Sequence, residues 1–192
     1  MKTLHRINID NVITDDNPLL REKSLDVKLP LSNEDSMTIK SMLEYVIDSQ
    51  DDELSTKYNL KPAVGIAAPQ LGILKNLIAV SVETENDDGT FQRTSYALAN
   101  PKIISHSVTS IYLANGEGCL SVPENRQGYV KRHERIKIKA YDTLKNTEVI
   151  IKEKGFTAIV LQHEIDHLNG ILYYDRFVDI EDIENDPLIT SI

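Results

Sequence analysis

The segment Gln162-His163-Glu164-Ile165-Asp166-His167-Leu168-Asn169-Gly170 constrains this chain more than any other stretch. Two histidines four residues apart lie on one face of an α-helix, about one turn from each other, so both imidazoles reach a single divalent ion. Glu164, beside the first histidine, is then placed to accept a proton from water bound to that ion. A surface helix with two solvated histidines carries the same letters, but the flanking residues argue for the core. Phe156, Ala158, Ile159, Val160, Leu161, Ile165 and Leu168 make the segment apolar nearly all round. Gly155 stands at its start, and Asn169-Gly170 supplies the residue types that end helices. Buried imidazoles and a buried carboxylate each need a partner, because an unpaired polar group costs roughly 2 kcal/mol or more. One metal ion satisfies all three. The chemistry implied is metal-activated water, hence hydrolysis.

With 192 residues, 41% of them hydrophobic, the chain can bury a sizeable core, and a single domain over 1–192 is expected. No run approaches the ~18 apolar residues of a membrane span, and the opening MKTLHRINID lacks the apolar core of a secretory signal. No membrane association is therefore expected. A net charge of −9 argues against a general nucleic-acid binder. Lys131, Arg132, His133, Arg135, Lys137 and Lys139 do form a local basic stretch. The last three basic residues alternate with Ile136, Ile138 and Ala140, which reads as the wet face of a strand rather than a phosphate-binding patch. Cys119 is the one cysteine, so no intramolecular disulfide forms and a reducing cytoplasm is the expected home. A lone cysteine is most often a small buried hydrophobe. Here it stands in Asn115-Gly116-Glu117-Gly118-Cys119-Leu120-Ser121, where two glycines suit a thiol presented from a turn or a strand edge. The residues alone leave both readings open.

Elsewhere the pattern is that of one unit without repeats. Asn17-Pro18 reads as a turn or short helix start. Ser32 with Asp35 resembles a capping box, aspartate replacing the usual glutamate. Behind it Ile39, Met42, Leu43, Val46 and Ile47 form a helical stripe. The acidic Asp51-Asp52-Glu53 reads as a solvated helix end or loop. Strands are expected at 77–82, 95–99, 102–105, 111–113, 135–142 and 148–152, with a turn at Asn86-Asp87-Asp88-Gly89 and a short terminal strand in DPLITSI. A helix, then many strands, then the histidine helix gives an α+β class with mostly antiparallel sheets packed around a central metal-binding HExDH helix.

A third segment, Ala63-Val64-Gly65-Ile66-Ala67-Ala68-Pro69-Gln70, is rich in small residues, so something approaches its backbone closely, whether a strand or a ligand. Together the three segments resemble peptide deformylase, which carries GxGxAAxQ, EGCLS and QHExDH motifs in that order. They stand here as AVGIAAPQ (63–70), EGCLS (117–121) and QHEIDH (162–167), with Ala63 where the family has glycine. The long EGCLSVPENRQGYV loop and the short acidic C-terminus look like the type 2 branch of Gram-positive bacteria and mollicutes.

The resemblance implies roles residue by residue. Cys119, His163 and His167 bind one divalent metal, Fe²⁺ in the family, with Zn²⁺, Ni²⁺ or Co²⁺ as substitutes. Glu164 is the general base and acid; the Gln70 side chain and the Leu120 N–H steady the oxyanion. Gly65 and Val64 hold the peptide as an added strand. Phe156, Ile159 and Val160 either line a methionine pocket or simply pack in the core. The implied substrate is the formyl-methionyl end of a nascent peptide, met in transient contact with the ribosome by a monomer without specific nucleic-acid binding. Glu117 and Asp166, carboxylates beside ligands, are expected to orient a ligand or pair with Arg126 or Arg132. A different HExxH peptidase, a structural metal module, and a deformylase-like amidase of altered substrate are the alternatives. The EGCLS cysteine stands against the first, and the absence of a second cysteine against the next.

Overall fold

The computed structural model describes residues 6–85, 88–124 and 126–192. In chain order the elements are α1 (Asn33–Asp48), α2 (Asp52–Tyr58), β1 (Gly65–Ala67), β2 (Leu77–Glu85), β3 (Phe91–His106), β4 (Ser110–Tyr112), β5 (Tyr129–Val130), β6 (Arg132–His133), β7 (Arg135–Asp142), β8 (Thr147–Lys154), α3 (Gly155–Leu168), β9 (Phe177–Val178), α4 (Ile180–Glu184) and β10 (Ile189–Ser191). Short 3-10 turns join them, one starting at Pro18 with Asn17 as its cap, as the sequence suggests. The class is α+β. An all-antiparallel sheet runs in the order β1-β2-β3-β7-β8. Two small sheets, β10-β4-β6 and β5-β9, accompany it, and among the strand pairs of the described residues β10–β4 alone is parallel, besides an isolated parallel bridge between Leu25 and Lys75.

Two helices cover opposite faces of the large sheet. Ile39, Met42, Tyr45 and Val46 of α1 are buried against Leu77 and Ala79 of β2 and Ala97 and Ala99 of β3. Each such side chain contributes about 1.5–3 kcal/mol by leaving water. On the other face Ile78, Val80 and Val82 of β2 and Ile136, Ile138 and Ala140 of β7 pack with Ala158, Val160, Leu161 and Ile165 of α3. Strand β2 is thus buried on both faces, which is why Leu77–Val82 reads as an unbroken apolar run. The histidine helix is equally enclosed: every side chain from Thr157 to Leu168 is buried.

Several expectations need correction. The strands expected at 95–99 and 102–105 are one strand, β3, irregular at Asn100-Pro101. Asn100 takes a left-handed conformation (φ 53°), and its amide bonds both the N–H and the C=O of Val27, at 2.8 and 2.9 Å, so the break is local and side-chain supported. Asp51–Glu53 does not end a helix but begins α2, with the Asp51 carboxylate accepting from the Leu54 N–H at 2.9 Å. In the α1 stripe Ile47 is exposed and Tyr45 takes its place in the core. Asp35 is capped by Ser32 but turns its carboxylate to the Ser32 hydroxyl and Lys75 instead of closing the box. Asn86 and Asp87 of the expected turn lie outside the described residues, though the Glu85↔Phe91 register shows β2 and β3 joined as a hairpin. The terminal strand in DPLITSI is β10.

Helix α3 stops at Asn169-Gly170 for a steric reason. Gly170 has φ 72°, and a Cβ there would stand 2.4 Å from the Arg21 carbonyl oxygen. Left-handed backbone alone costs other residues roughly 1–2 kcal/mol. Gly170→Ala is expected to cost at least about 2 kcal/mol and lower the melting temperature by about 4–8 °C; an unchanged melting temperature in a thermal scan contradicts this packing.

Candidate metal centre

The buried polar residues of α3 are each tied to a different part of the fold. Gln162 accepts from the His133 N–H at 3.0 Å and donates to the His133 and Ala158 carbonyls, both at 2.9 Å, fastening the helix to β6. One helical position on, His163 Nδ1 meets Glu117 Oε2 at 2.8 Å. Glu117 in turn receives two bonds from Arg132, Nε at 2.8 Å and Nη2 at 3.0 Å. The remaining nitrogen of Arg132 reaches Asp166 Oδ2 at 2.5 Å, and Arg176 closes on the same carboxylate. Arg132 is 3% exposed, so this ladder lies in the protein interior.

Arg132 is therefore the expected arginine partner of Glu117 and Asp166, set apart from the wet strand face of Arg135, Lys137 and Lys139. It sits on β6, ahead of β7 and in phase with the buried Ile136, Ile138 and Ala140, and points inward. Asp166 is not a surface residue, and its partner is Arg132 rather than Arg126, which pairs instead with Asp15 at 2.8 Å.

At the end of the ladder the Sγ of Cys119 and one ring nitrogen each of His163 and His167 lie within 4.8 Å of one another. Cys119 Sγ stands 3.3 Å from His167 Nε2. Cys119 comes from the loop after β4, and the two imidazoles stand nearly perpendicular, 76° apart, on successive turns of α3. The donor set and its protonation preferences fit a divalent cation. Burial works against a charged His163, yet hydrogen bonds with Cys119 and Glu117 hold its pKa well above the ordinary value, so the site favours positive charge there. Burial, with His163 and Arg132 nearby, pushes His167 well below, keeping it the neutral imidazole that ligates metals. Against its own burial, Glu117 is held at about 2 by His163 and Arg132, and so stays an acceptor. A nitrogen, nitrogen, thiolate set of this kind leaves a fourth tetrahedral position to solvent or substrate.

Glu164 lies beside this group with Oε2 fully buried and unpartnered. Burial raises its pKa to about 7, the range in which a carboxyl both takes and gives protons near neutrality. Its carboxylate packs on Gly65, where a Cβ would stand 2.5 Å from Oε1. That contact gives the glycine of the small-residue segment its reason: β1 must pass directly beneath the carboxylate.

Gln70 is also buried, its Oε1 fixed by the Ala67 N–H at 2.8 Å. This turns its amide nitrogen toward Cys119 Sγ at 3.5 Å and Ser121 Oγ at 3.3 Å. A cleft of about 430 Å³ opens onto these groups. Its walls include Val64, Gly65, Gln70, Cys119, Leu120, Phe156, Ile159, Val160, His163 and Glu164, and His167, buried, joins them through the donor group with Cys119 and His163, so the structure brings every sequence-predicted site residue together. Arg176 and Gln50 carry no motif of their own and are missed by sequence reasoning, whereas Ser121 stands in EGCLS with no role assigned to it and Arg132 is one of the two arginines expected beside Glu117 and Asp166. Gln50 donates to the Ala63 and Ser81 carbonyls, both at 2.9 Å, and so holds the start of β1 against β2.

A buried cysteine, two histidines one turn apart and a proton-holding glutamate define a mononuclear metal hydrolase. Residues 9–182 match the family described as polypeptide deformylase. The chain is 51% identical over 170 residues to a peptide deformylase of Halalkalibacterium halodurans, covering 88% of this chain and 91% of that protein. It is 48% identical over 181 residues to peptide deformylase 2 of Bacillus subtilis, covering 94% of this chain and 95% of that one. Among solved structures, peptide deformylase from Ehrlichia chaffeensis superposes with a TM-score of 0.71 at 29% identity over 88% of both chains. The class I type b enzyme of Acinetobacter baumannii with Met-Ala-Ser bound gives 0.66 at 31% identity over 86% of this chain and 96% of that one. The chain belongs to the peptide deformylase family, near its Gram-positive members named peptide deformylase 2.

The ladder yields a test. Arg132→Met leaves Glu117 and Asp166 as buried carboxylates without their common partner, and removing one member of such a pair costs about 3–5 kcal/mol. Because Glu117 orients His163, metal affinity is expected to fall about 10–100-fold as well. Denaturant unfolding and chelator competition measure the two effects; wild-type values in both contradict the role given to Arg132.

Proposed function

We propose that this cleft removes the formyl group from the N-terminal formyl-methionine of nascent polypeptides and releases formate, with the chain's own residues dividing the work as follows. The carrying observation is the unpartnered Glu164 carboxylate, buried beside the Cys119, His163 and His167 donors and facing the cleft. One divalent ion, Fe²⁺ by family membership with Zn²⁺, Ni²⁺ or Co²⁺ able to substitute, is held by those three residues and supplies Lewis acidity that brings water to the pKa range of a usable nucleophile. Glu164 accepts the proton of the attacking water and delivers it to the leaving amine. The Gln70 amide nitrogen and the Leu120 N–H hold the oxygen that gains charge as the formyl carbon becomes tetrahedral. Support for Gln70 comes from its anchored Oε1, which leaves its N–H groups no other orientation than toward the cleft and Ser121.

Substrate binding follows from the edge position of β1. The Ser81 N–H donates to the Val64 carbonyl, and in the antiparallel register this leaves the Gly65 N–H and C=O directed away from β2. An extended peptide adds there as a further strand. Its first side chain is received by Phe156, Ile159 and Val160, the methionine pocket in this reading. The solved Acinetobacter relative with Met-Ala-Ser bound supports a peptide ligand of this length.

In this reading α3 is the central metal-binding helix, the whole of 1–192 is one catalytic domain, and the protein works as a cytoplasmic monomer meeting its substrate at the ribosome. No helix among the described residues is long and apolar enough to cross a membrane. The assignment of Glu164, Gln70 and Cys119 separates cleanly in variants. Glu164→Ala is expected to keep one metal per chain and lose turnover by several orders of magnitude. Gln70→Ala loses about 10²–10³ in kcat, and Cys119→Ala loses the metal itself. Metal analysis beside formate release reads all three, and near-normal turnover of Glu164→Ala overturns the mechanism. Gly65→Ala is a sharper probe of geometry: it should depress kcat at least about 100-fold while the protein remains folded, because the new methyl displaces the Glu164 carboxylate. Wild-type kcat for Gly65→Ala contradicts that contact.

A further inference from the structure

The cleft runs along the chain that leads into β1. Its wall on that side is formed by Lys61, Pro62, Ala63, Val64 and Gly65 in turn, whereas Ile66 and Ala67 beyond them are fully buried. Gly65 packs under Glu164 at the metal end, so the wall extends from the donors backwards to Lys61. An extended peptide whose formyl group lies at the metal therefore runs antiparallel to residues 61–65. The step from Gly65 to Lys61 spans at most roughly 14 Å, and a bend at Val64 shortens it. Lys61 thus comes level with the third or fourth residue of the peptide.

The main chain of this wall has little left to offer a peptide. The Tyr45 hydroxyl, on α1, accepts from the Lys61 N–H at 3.2 Å and donates to the Lys61 carbonyl at 3.1 Å. Pro62 has no N–H to give. Ser49 Oγ accepts from the Ala63 N–H at 3.1 Å, and Gln50 donates to the Ala63 carbonyl at 2.9 Å. The Val64 carbonyl is taken by the Ser81 N–H at 2.9 Å. Backbone recognition on this wall therefore ends near Gly65, and further along the peptide only side chains discriminate. Of the ionisable side chains that line the cleft, Glu117, Cys119, His163 and Glu164 belong to the metal end, which leaves Lys61 as the formal charge of the outer part. Lys61 is exposed and has no carboxylate partner among the described residues. Its backbone is held at both polar groups by Tyr45, so the ammonium stems from a fixed point on the rim.

We infer that Lys61 is a specificity-determining residue, which favours peptides carrying an acidic side chain at the third or fourth position. The inference rests on the catalytic reading above and deepens it by naming the substrate class. The net charge of −9 disfavours an acidic peptide at long range, so such a preference needs a cation on the binding line itself, where charges beyond about 10 Å are screened at 0.1 M salt. An ammonium acts as a point charge on a flexible stem, so aspartate and glutamate serve alike. An exposed pair of this kind is worth about 2–5-fold in affinity. It lies far from the reacting carbon and is made equally before and during the reaction, so it belongs in KM and not in kcat.

The test follows formate release by the metal-loaded full chain from three C-terminally amidated peptides, formyl-Met-Ala-Glu-Glu, formyl-Met-Ala-Gln-Gln and formyl-Met-Ala-Lys-Lys, at roughly 50 and 200 mM salt. Amidation removes the terminal carboxylate, the other source of negative charge. Values of kcat/KM should fall about 2–5-fold from the Glu to the Gln peptide and again from Gln to Lys, through KM, and the spread should narrow at the higher salt. Lys61→Glu should invert the order and Lys61→Met should abolish it. Lys145→Glu makes the same change of charge between β7 and β8 and should keep the wild-type order. Equal constants for the three peptides in the wild type, an order that survives in Lys61→Glu, or an equal shift in Lys145→Glu overturns the inference. Turnover of none of the three peptides instead overturns the catalytic reading, and this inference with it.

Discussion

The interaction on which the rest of the site depends is the buried guanidinium of Arg132 between Glu117 and Asp166. It joins three segments far apart in sequence: the loop that carries the thiol, the two-residue strand β6, and the histidine helix. A buried ion pair adds little to stability compared with apolar packing, but losing one member is costly. Its value here is geometric. Glu117 fixes the tautomer and orientation of His163, Asp166 fixes the other side of the same helix, and both are held by one rigid planar group.

That arrangement explains how a helix buried on every side can carry five polar residues in six positions. Gln162 is satisfied by the β6 backbone, His163 by Glu117, and Asp166 by two arginines. Glu164 Oε2 is left unpartnered beside the site, while His167 turns its Nε2 to Cys119 and leaves its Nδ1 without a partner. Along α3 the fold therefore satisfies Gln162, His163 and Asp166 and leaves the Glu164 carboxylate available. The edge of β1 completes the arrangement, since the strand proposed to receive the peptide is also the one whose glycine makes room for Glu164.

Much of this was legible in the residues. The spacing of His163 and His167 and the apolar surround of that segment gave a buried helix, and the β-branched runs gave the sheet. Cys119 was different: nothing local distinguishes a ligand thiol from a packed one, so its role emerged only from the resemblance and then from its distance to His167. The residues offer both Arg126 and Arg132 as partners for Glu117 and Asp166 but cannot choose between them, because the contacts of Arg132 span 15 and 34 positions. Strand β6 is too short to leave a periodic signal, so the inward turn of Arg132 is visible only in three dimensions. The joined β3 was missed because Asn100-Pro101 reads as a stop, and only the side-chain bonds to Val27 show that it is a bulge. Helix α2 was missed because its acidic first turn, favourable at a helix N-terminus, also reads as loop.

The central claim is that one metal centre, with Glu164 beside it, cleaves a formyl amide at the end of a peptide. Formate release from formyl-Met-Ala-Ser by anaerobically purified protein, with acetyl-Met-Ala-Ser and a chelator-treated sample alongside, tests it most directly. The account predicts rapid release from the formyl peptide alone, abolished by chelation and restored by Fe²⁺ or Ni²⁺. Absence of release from metal-loaded protein, or release that survives chelation, would contradict it.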